Sequence, residues 1–262
     1  MSNDQKKYIK KLKINNIKIL LIQISIIVIF LSIWELLVNK DIISGFIYSS
    51  PSRIIKTIII LINENNLFIH IYTTLIEVIV AFLLGIIIGF VVALLLYQFK
   101  FVAKIIDPFL TMLNSLPKVA LGPLIIIISG ANGKSIIIMA LLINLIVSII
   151  TIYNGFISTD EYKIKLLKSM GANKLQILTK LVIPQSYETI ITSFKLNISL
   201  TLIGVIMGEF LVSKQGIGYL IVYGKQVFNL DLVMTGIFIL IIISYLLYKI
   251  IIVLEKKLLK YN

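Results

Sequence analysis

Residues 71–97 read IYTTLIEVIVAFLLGIIIGFVVALLLY, an apolar run that holds one charge, Glu77. A helix needs about 20 such residues to cross ~30 Å of hydrocarbon. The stretch is therefore a membrane span with length to spare for tilt. Outward from it, five more runs qualify: 19–38, 108–128, 136–153, 189–211 and 230–253. The run 108–128 is broken in the middle by Pro117. The first follows Lys10, Lys11 and Lys13 as a signal peptide would. Its apolar run is long and lacks a small-residue cleavage site, so a retained anchor is expected. The whole chain agrees with these runs. Its 262 residues are 59% hydrophobic and 14% charged, with a mean hydropathy of +1.04. Soluble domains lie near ~45–50% apolar and ~25% charged. The expected fold is an all-α membrane protein of six transmembrane helices.

The formal charge of +13 has two explanations, nucleic acid or topology. The lysines decide between them. Eighteen Lys and Arg residues fall on one side of the alternating spans: the N-terminal tail, Lys100 and Lys104, the 154–188 connection with Lys195, and the C-terminal end. Six fall on the other: Lys40, Arg53, Lys56, Lys134, Lys214 and Lys225. The positive-inside rule then places both termini in the cytoplasm, and no nucleic-acid partner is expected. Cysteine is absent, which removes disulfides, thiol catalysis and Cys-ligated zinc. The single histidine, His70, has no neighbouring ligands in the sequence, so no metal or other cofactor is expected. No Ser/His, paired-Asp or HExxH constellation supports an intramembrane enzyme. Gly133-Lys134-Ser135 lacks the glycine a P-loop needs five residues earlier, where Ile128 stands.

The longest cytoplasmic connection carries two short helical patterns between Asp160 and Pro184. Tyr162, Leu166 and Leu167 form the apolar face of the first, Asp160 and Glu161 suit its N-terminal dipole, and Gly171 stops it. Leu175, Ile177, Leu178 and Leu181 form the second stripe, which Pro184 ends. The expectation is a helix–glycine–helix elbow that lies against the membrane and presents a knob to a cytoplasmic partner. Broken backbone at membrane depth belongs beside protein or a water-filled cavity, and an intramembrane lysine is a functional candidate. Ser115, Pro117 and Lys118 are therefore candidates for a translocation path, and so is Glu209 in the fifth span. Glu77 and Glu209 are each candidates to pair with Lys118 or Lys195. Gly85/Gly89 and Gly204/Gly208 are expected to serve close helix packing within one chain.

Gly171, nine residues, then Leu181-Val-Ile-Pro184 resembles the second half of the EAA loop of ABC importer permeases. The first half departs from it, with Lys165, Leu166 and Leu167 at the Glu-Ala-Ala positions. Residues 107–124, with Gly130 after them, resemble the proline-broken third span of the nitrate/sulfonate/taurine permeases. Gly208-Glu-Phe-Leu-Val-Ser-Lys-Gln-Gly-Ile-Gly-Tyr-Leu220 resembles their Glu-containing stretch ending in Gly-Leu-Gly-Tyr, and Ser50-Pro-Ser52 resembles their Pro-Ser-Pro region. The resemblance covers roughly residues 45–255 and implies a non-catalytic transport subunit of a bacterial plasma membrane. Its implied partners are cytoplasmic ATPases, an extracytoplasmic solute-binding protein and a second copy of the chain. The elbow would contact the ATPase through Lys165, Lys168, Ser169, Met170, Gly171 and Ala172, held by Pro184. The implied solute is small and anionic, sulfonate-, nitrate- or taurine-like. The alternatives are a thiamine-precursor pyrimidine and a secondary transporter or channel. The expected organisation is an N-terminal tail, first helix and external loop (1–68), a five-helix permease core (69–255) and a cytoplasmic tail (256–262).

Overall fold

The computed structural model describes residues 3–64 and 66–259. The lysine Lys260, counted above, lies outside them, as do the last residues of the expected C-terminal tail. Side chains of residues 3–13, 16, 258 and 259 are likewise outside the description, and with them most of the N-terminal lysines.

Every described element is helical. In chain order they are α1 (Asn3–Asn39), α2 (Gly45–Tyr48), α3 (Pro51–Asn63), α4 (Asn66–Gln98), α5 (Lys100–Ser115), a 3-10 turn (Lys118–Leu121), α6 (Gly122–Ser129), α7 (Gly133–Ile157), α8 (Glu161–Ser169) and α9 (Lys174–Ile177). A π-helical turn (Leu178–Val182) leads into α10 (Ile183–Gln185), followed by α11 (Tyr187–Val212), α12 (Ile217–Gln226) and α13 (Leu230–Leu259). Five helices are long and apolar enough to span, and Lys100–Ser115 with Lys118–Ser129, bent by 85° at the break, makes a sixth apolar unit, a broken span or a re-entrant loop. Leu116 and Pro117 make that break, where the sequence placed it. Pro108 lies inside α5 rather than at the start of the span.

The centre of the molecule is α7 packed between α4 and α11. The small-residue pairs make that packing. A Cβ at Gly89 would meet Ser148 Cβ at 2.5 Å, and one at Gly204 would meet the Ala140 backbone at 2.5 Å. A Cβ at Gly208 would meet the Ile136 backbone at 2.9 Å. Both GxxxG pairs therefore serve contacts within the chain. Asn144, fully buried between them, donates to Ala81 O at 3.2 Å and Thr201 Oγ1 at 2.6 Å. This cross-link fixes the rotation of three helices whose apolar surfaces alone would let them slip.

Two helices stand where loops were expected. Ser50 caps α3 by accepting from the Arg53 amide, and Pro51 opens it, a favoured first-turn position. Glu35 of α1 accepts from the Ser52 amide at 3.0 Å and its hydroxyl at 2.8 Å, while Arg53 pairs with Asp231 of α13 at 3.2 Å. The second is α12, on the same end of the bundle. By contrast, Gly133-Lys134-Ser135 begins α7 with no special role: Asn132 Oδ1 accepts the Lys134 amide as an ordinary N-cap.

Candidate functional site

At one end of the bundle the elbow is built by local chemistry. Asp160 Oδ1 accepts the Tyr162 amide at 2.8 Å and starts α8. The helix stops in a Schellman arrangement: the Gly171 amide donates to Lys168 O and the Ala172 amide to Leu167 O. This needs a left-handed residue, and Gly171 supplies it with φ of 82°. Asn173 and Gln176 then form a reciprocal capping box, both bonds 2.8 Å long, which starts the second helix. That box was legible in the sequence as Asn-x-x-Gln and was missed.

The apolar faces differ from expectation. Ile164 and Leu167 pack inward on the cluster of Ala93, Ile152, Phe156, Ile177, Leu178 and Val182. Tyr162 and Leu166 point away from it, 82% and 61% exposed, as are Met170 at 73% and Leu175 at 65%. The i, i+3 pair 164/167 faces the bundle, and the i, i+4, i+8 set 162/166/170 forms a second, uncovered stripe. Lys165, Lys168, Ser169 and Gly171 are exposed beside it, and Ala172 is half-buried. A Cβ at Gly171 would meet nothing within 4 Å. Pro184 does not terminate the second helix as expected. Helical backbone runs through it to Gln185 and turns at Ser186, whose hydroxyl donates to Gly155 O on α7 at 2.8 Å.

At mid-bundle the α5–α6 break gathers Ser115, Pro117 and Lys118 on the surface of the chain. Ser115 and Pro117 are exposed. Lys118 Nζ donates to Asn114 Oδ1 at 3.2 Å, and no carboxylate pairs with it among the described residues. Leu116 and Val119 beside it are 43% and 44% exposed.

Glu209 stands apart from this group, near the opposite end from the elbow. It is 1% exposed. Its Oε1 accepts from Thr74 Oγ1 at 2.6 Å and its Oε2 from the Gly218 amide at 2.5 Å. Thr74 Oγ1 in turn accepts the Ile217 amide at 2.9 Å, and His70 Nδ1 accepts the Gly216 amide at 3.0 Å. Four hydrogen bonds made by three side chains thus close the start of α12 onto α4 and α11. The glycines explain themselves here. Gly216 has φ of 105°, and a Cβ on it or on Gly218 would collide with the Glu209 carboxyl. His70, the single histidine, is a buried part of this clamp and stacks on Tyr219 with ring centres 5.8 Å apart. The pairings expected for the buried acids do not form. Lys195 pairs with Glu255 of α13 at 2.7 Å, Lys118 binds Asn114, and Glu77 adjoins Glu209 with its Oε2 buried and unpartnered.

Comparison with known proteins bears on what this arrangement serves. Residues 81–260 match the model of the family described as binding-protein-dependent transport system inner membrane component. A Haemophilus influenzae protein described as an ABC transporter permease is 27% identical, covering 85% of this chain and 90% of that protein. A Bacillus subtilis protein described as an aliphatic sulfonates transport permease is 26% identical over 89% of this chain and 85% of its own. The formylaminopyrimidine transport permease of Halalkalibacterium halodurans is 27% identical over 71% and 74%. An inward-facing MetNI methionine ABC transporter structure shares the fold, with a TM-score of 0.61 at 18% identity, covering 72% of this chain and 94% of that one. A secondary transporter or channel is thereby set aside. The chain belongs to the binding-protein-dependent transport system inner-membrane components and is a multi-pass permease of an ABC importer.

Proposed function

We propose that two copies of this chain form the translocation path for a small anionic solute, with the elbow docked on a separate ATPase. The observation that carries this is the polar break at Asn114–Lys118. An opened backbone and an ammonium group sit on the chain's surface at membrane depth. Neither is tolerated against lipid tails. A second copy facing the break would enclose it and leave a wet seam lined by Ser115, Pro117 and Lys118. Lys118 carries a positive charge without a carboxylate partner among the described residues, so it favours an anion. An alkanesulfonate fits this charge and agrees with the Bacillus subtilis relative. Glu209 contributes by holding α12 over one end of the path rather than by touching solute.

The elbow supports the coupling role. Its inner face is anchored in the bundle, and its outer stripe of Tyr162, Leu166 and Met170 needs a cover. ATP-driven closure of a bound ATPase would then move α7 and α11, the helices it joins, as a differential contact between two states. Hydrolysis belongs to that partner, and this chain catalyses none of it. The lysine asymmetry supports a cytoplasmic elbow and cytoplasmic termini, an orientation that leaves the α12 end for a solute-binding protein. The boundaries expected at 68/69 and 255/256 fall within α4 and α13, and α3 packs back onto the core.

The test is reconstituted uptake of a radiolabelled alkanesulfonate with cognate ATPase and binding protein. Lys118→Gln is expected to cut uptake while ATPase association stays intact. Unchanged uptake in that variant would remove Lys118 from the path. A second reading, a formylaminopyrimidine, is favoured by the Halalkalibacterium relative. Binding-protein melting shifts with each solute separate the two.

A further inference from the structure

Small-ligand sites usually span about 300–1,000 Å³, and a cavity of 560 Å³ lies at the elbow end of the chain. It opens between the end of α4, the start of α5 and the elbow. Lys100, Lys168 and Lys174 line it, together with Tyr97, Phe99 and Leu175. No acidic residue contributes to the wall. The ion pairs among the described residues are Arg53–Asp231 and Lys195–Glu255, so all three ammonium groups lack a carboxylate partner.

The surroundings say what kind of anion belongs there. Phe99 and Leu175 on the wall are 56% and 65% exposed, and Phe101, the second residue of α5, is 78% exposed. Tyr97 sits at the same level, where α4 leaves its apolar run. A wholly aqueous anion site would not be rimmed by uncovered phenylalanine and leucine. An amphiphile satisfies both halves of the cavity: its acyl chains cover the apolar rim, and its phosphate sits among the lysines. Basic pockets on the cytoplasmic side of membrane helices take anionic lipid headgroups for this reason.

We infer that this cavity binds the headgroup of an anionic phospholipid such as phosphatidylglycerol. The lipid bridges α5 to the elbow through Lys100, Lys168 and Lys174, and so sets how firmly the elbow is held while the ATPase works on it. The inference rests on the reading of the elbow as the cytoplasmic coupling element.

Native mass spectrometry of the purified full chain tests it, with phosphatidylglycerol and phosphatidylcholine as competing probes. The wild-type chain is expected to retain phosphatidylglycerol preferentially. The Lys100→Gln/Lys174→Gln variant should lose about thirtyfold of that preference, the scale for two lysines at a membrane surface. Lys163→Gln/Lys180→Gln removes the same charge outside the cavity and should lose little. Lys100→Arg/Lys174→Arg should restore binding, which separates lost charge from lost fold. Equal losses in the two Gln pairs would mean general surface attraction and overturn the site. Displacement of the lipid by excess inorganic phosphate would also overturn it in favour of a soluble anion. Pull-down of the ATPase on the same samples keeps the two readings apart. A chain that binds the ATPase without phosphatidylglycerol preference sinks this inference alone. One that binds the lipid but not the ATPase sinks the coupling reading, and with it the lipid's effect on coupling, while the lipid site itself stands.

Discussion

Thr74 donates its hydroxyl to Glu209 Oε1 at 2.6 Å across 135 residues of chain. The bond ties α4 to α11, and Thr74's acceptance of the Ile217 amide extends the tie to α12. Glu209→Ala would strand the Gly218 amide and the Thr74 hydroxyl in a dry site. Each stranded buried group costs about 1–3 kcal/mol. A lowered thermal midpoint in detergent is expected, with a smaller drop for Thr74→Val. An unchanged midpoint for Glu209→Ala would show that the clamp contributes nothing to the fold.

Helix packing gives a second prediction. Gly204→Ala pushes a methyl group into the Ala140 backbone, which cannot yield as a flexible side chain does. Overpacking of this kind costs about 1–3 kcal/mol. Gly171→Ala meets no neighbour but must hold a left-handed φ, at about 1–2 kcal/mol. Both losses should appear in thermal unfolding, and only Gly204→Ala should disturb the α7–α11 contact, read as cross-linking between cysteines placed on the two helices.

The two faces of α8 are separable by adjacent substitutions. Leu167→Asp puts a charge against the bundle and should destabilise the chain by about 2 kcal/mol or more. Leu166→Asp changes only the exposed stripe, so the chain should fold normally yet fail to hold the ATPase in a pull-down. Retained association in Leu166→Asp would disprove docking through that stripe. Gly171→Asp is the companion at the tip, expected to abolish uptake.

Lys195 and Glu255 form a half-buried pair between α11 and α13, with 25% and 21% side-chain exposure. Breaking it by Glu255→Gln should cost about 1–3 kcal/mol, between the values for exposed and buried pairs. The exchange Lys195→Glu/Glu255→Lys should recover part of the loss in a denaturation midpoint, and no recovery would mean the pair does not interact.

The spans were legible because hydropathy over 20 residues overwhelms local detail, and the break at Pro117 was legible because proline removes a donor. Asp160 and Gly171 announced the limits of α8 for equally local reasons. What escaped was either short or distant in sequence. The α3 and α12 helices are too short to register as spans and too apolar to stand out from a hydrophobic loop. Lys195–Glu255 joins residues 60 apart, so no periodicity points to it. Glu209 stood out in the sequence because an intramembrane acid normally seeks a cation or solute, but its partners did not. Here its partners are a threonine hydroxyl and a glycine amide, and backbone donors carry no signature in sequence. The direction of Tyr162 and Leu166 was misjudged because α8 has two apolar stripes and the pattern alone does not rank them.

None of the membrane-spanning window of α1 is buried within the chain, and among the described residues its polar attachment to the rest is Glu35 at Ser52. Folding of the core therefore owes little to this helix, whose own stability is a partition between water and lipid. Such an appendage can be lengthened, exchanged or shed in the course of evolution without retuning the packing of α4, α7 and α11. Selection on it can act through membrane thickness and insertion alone.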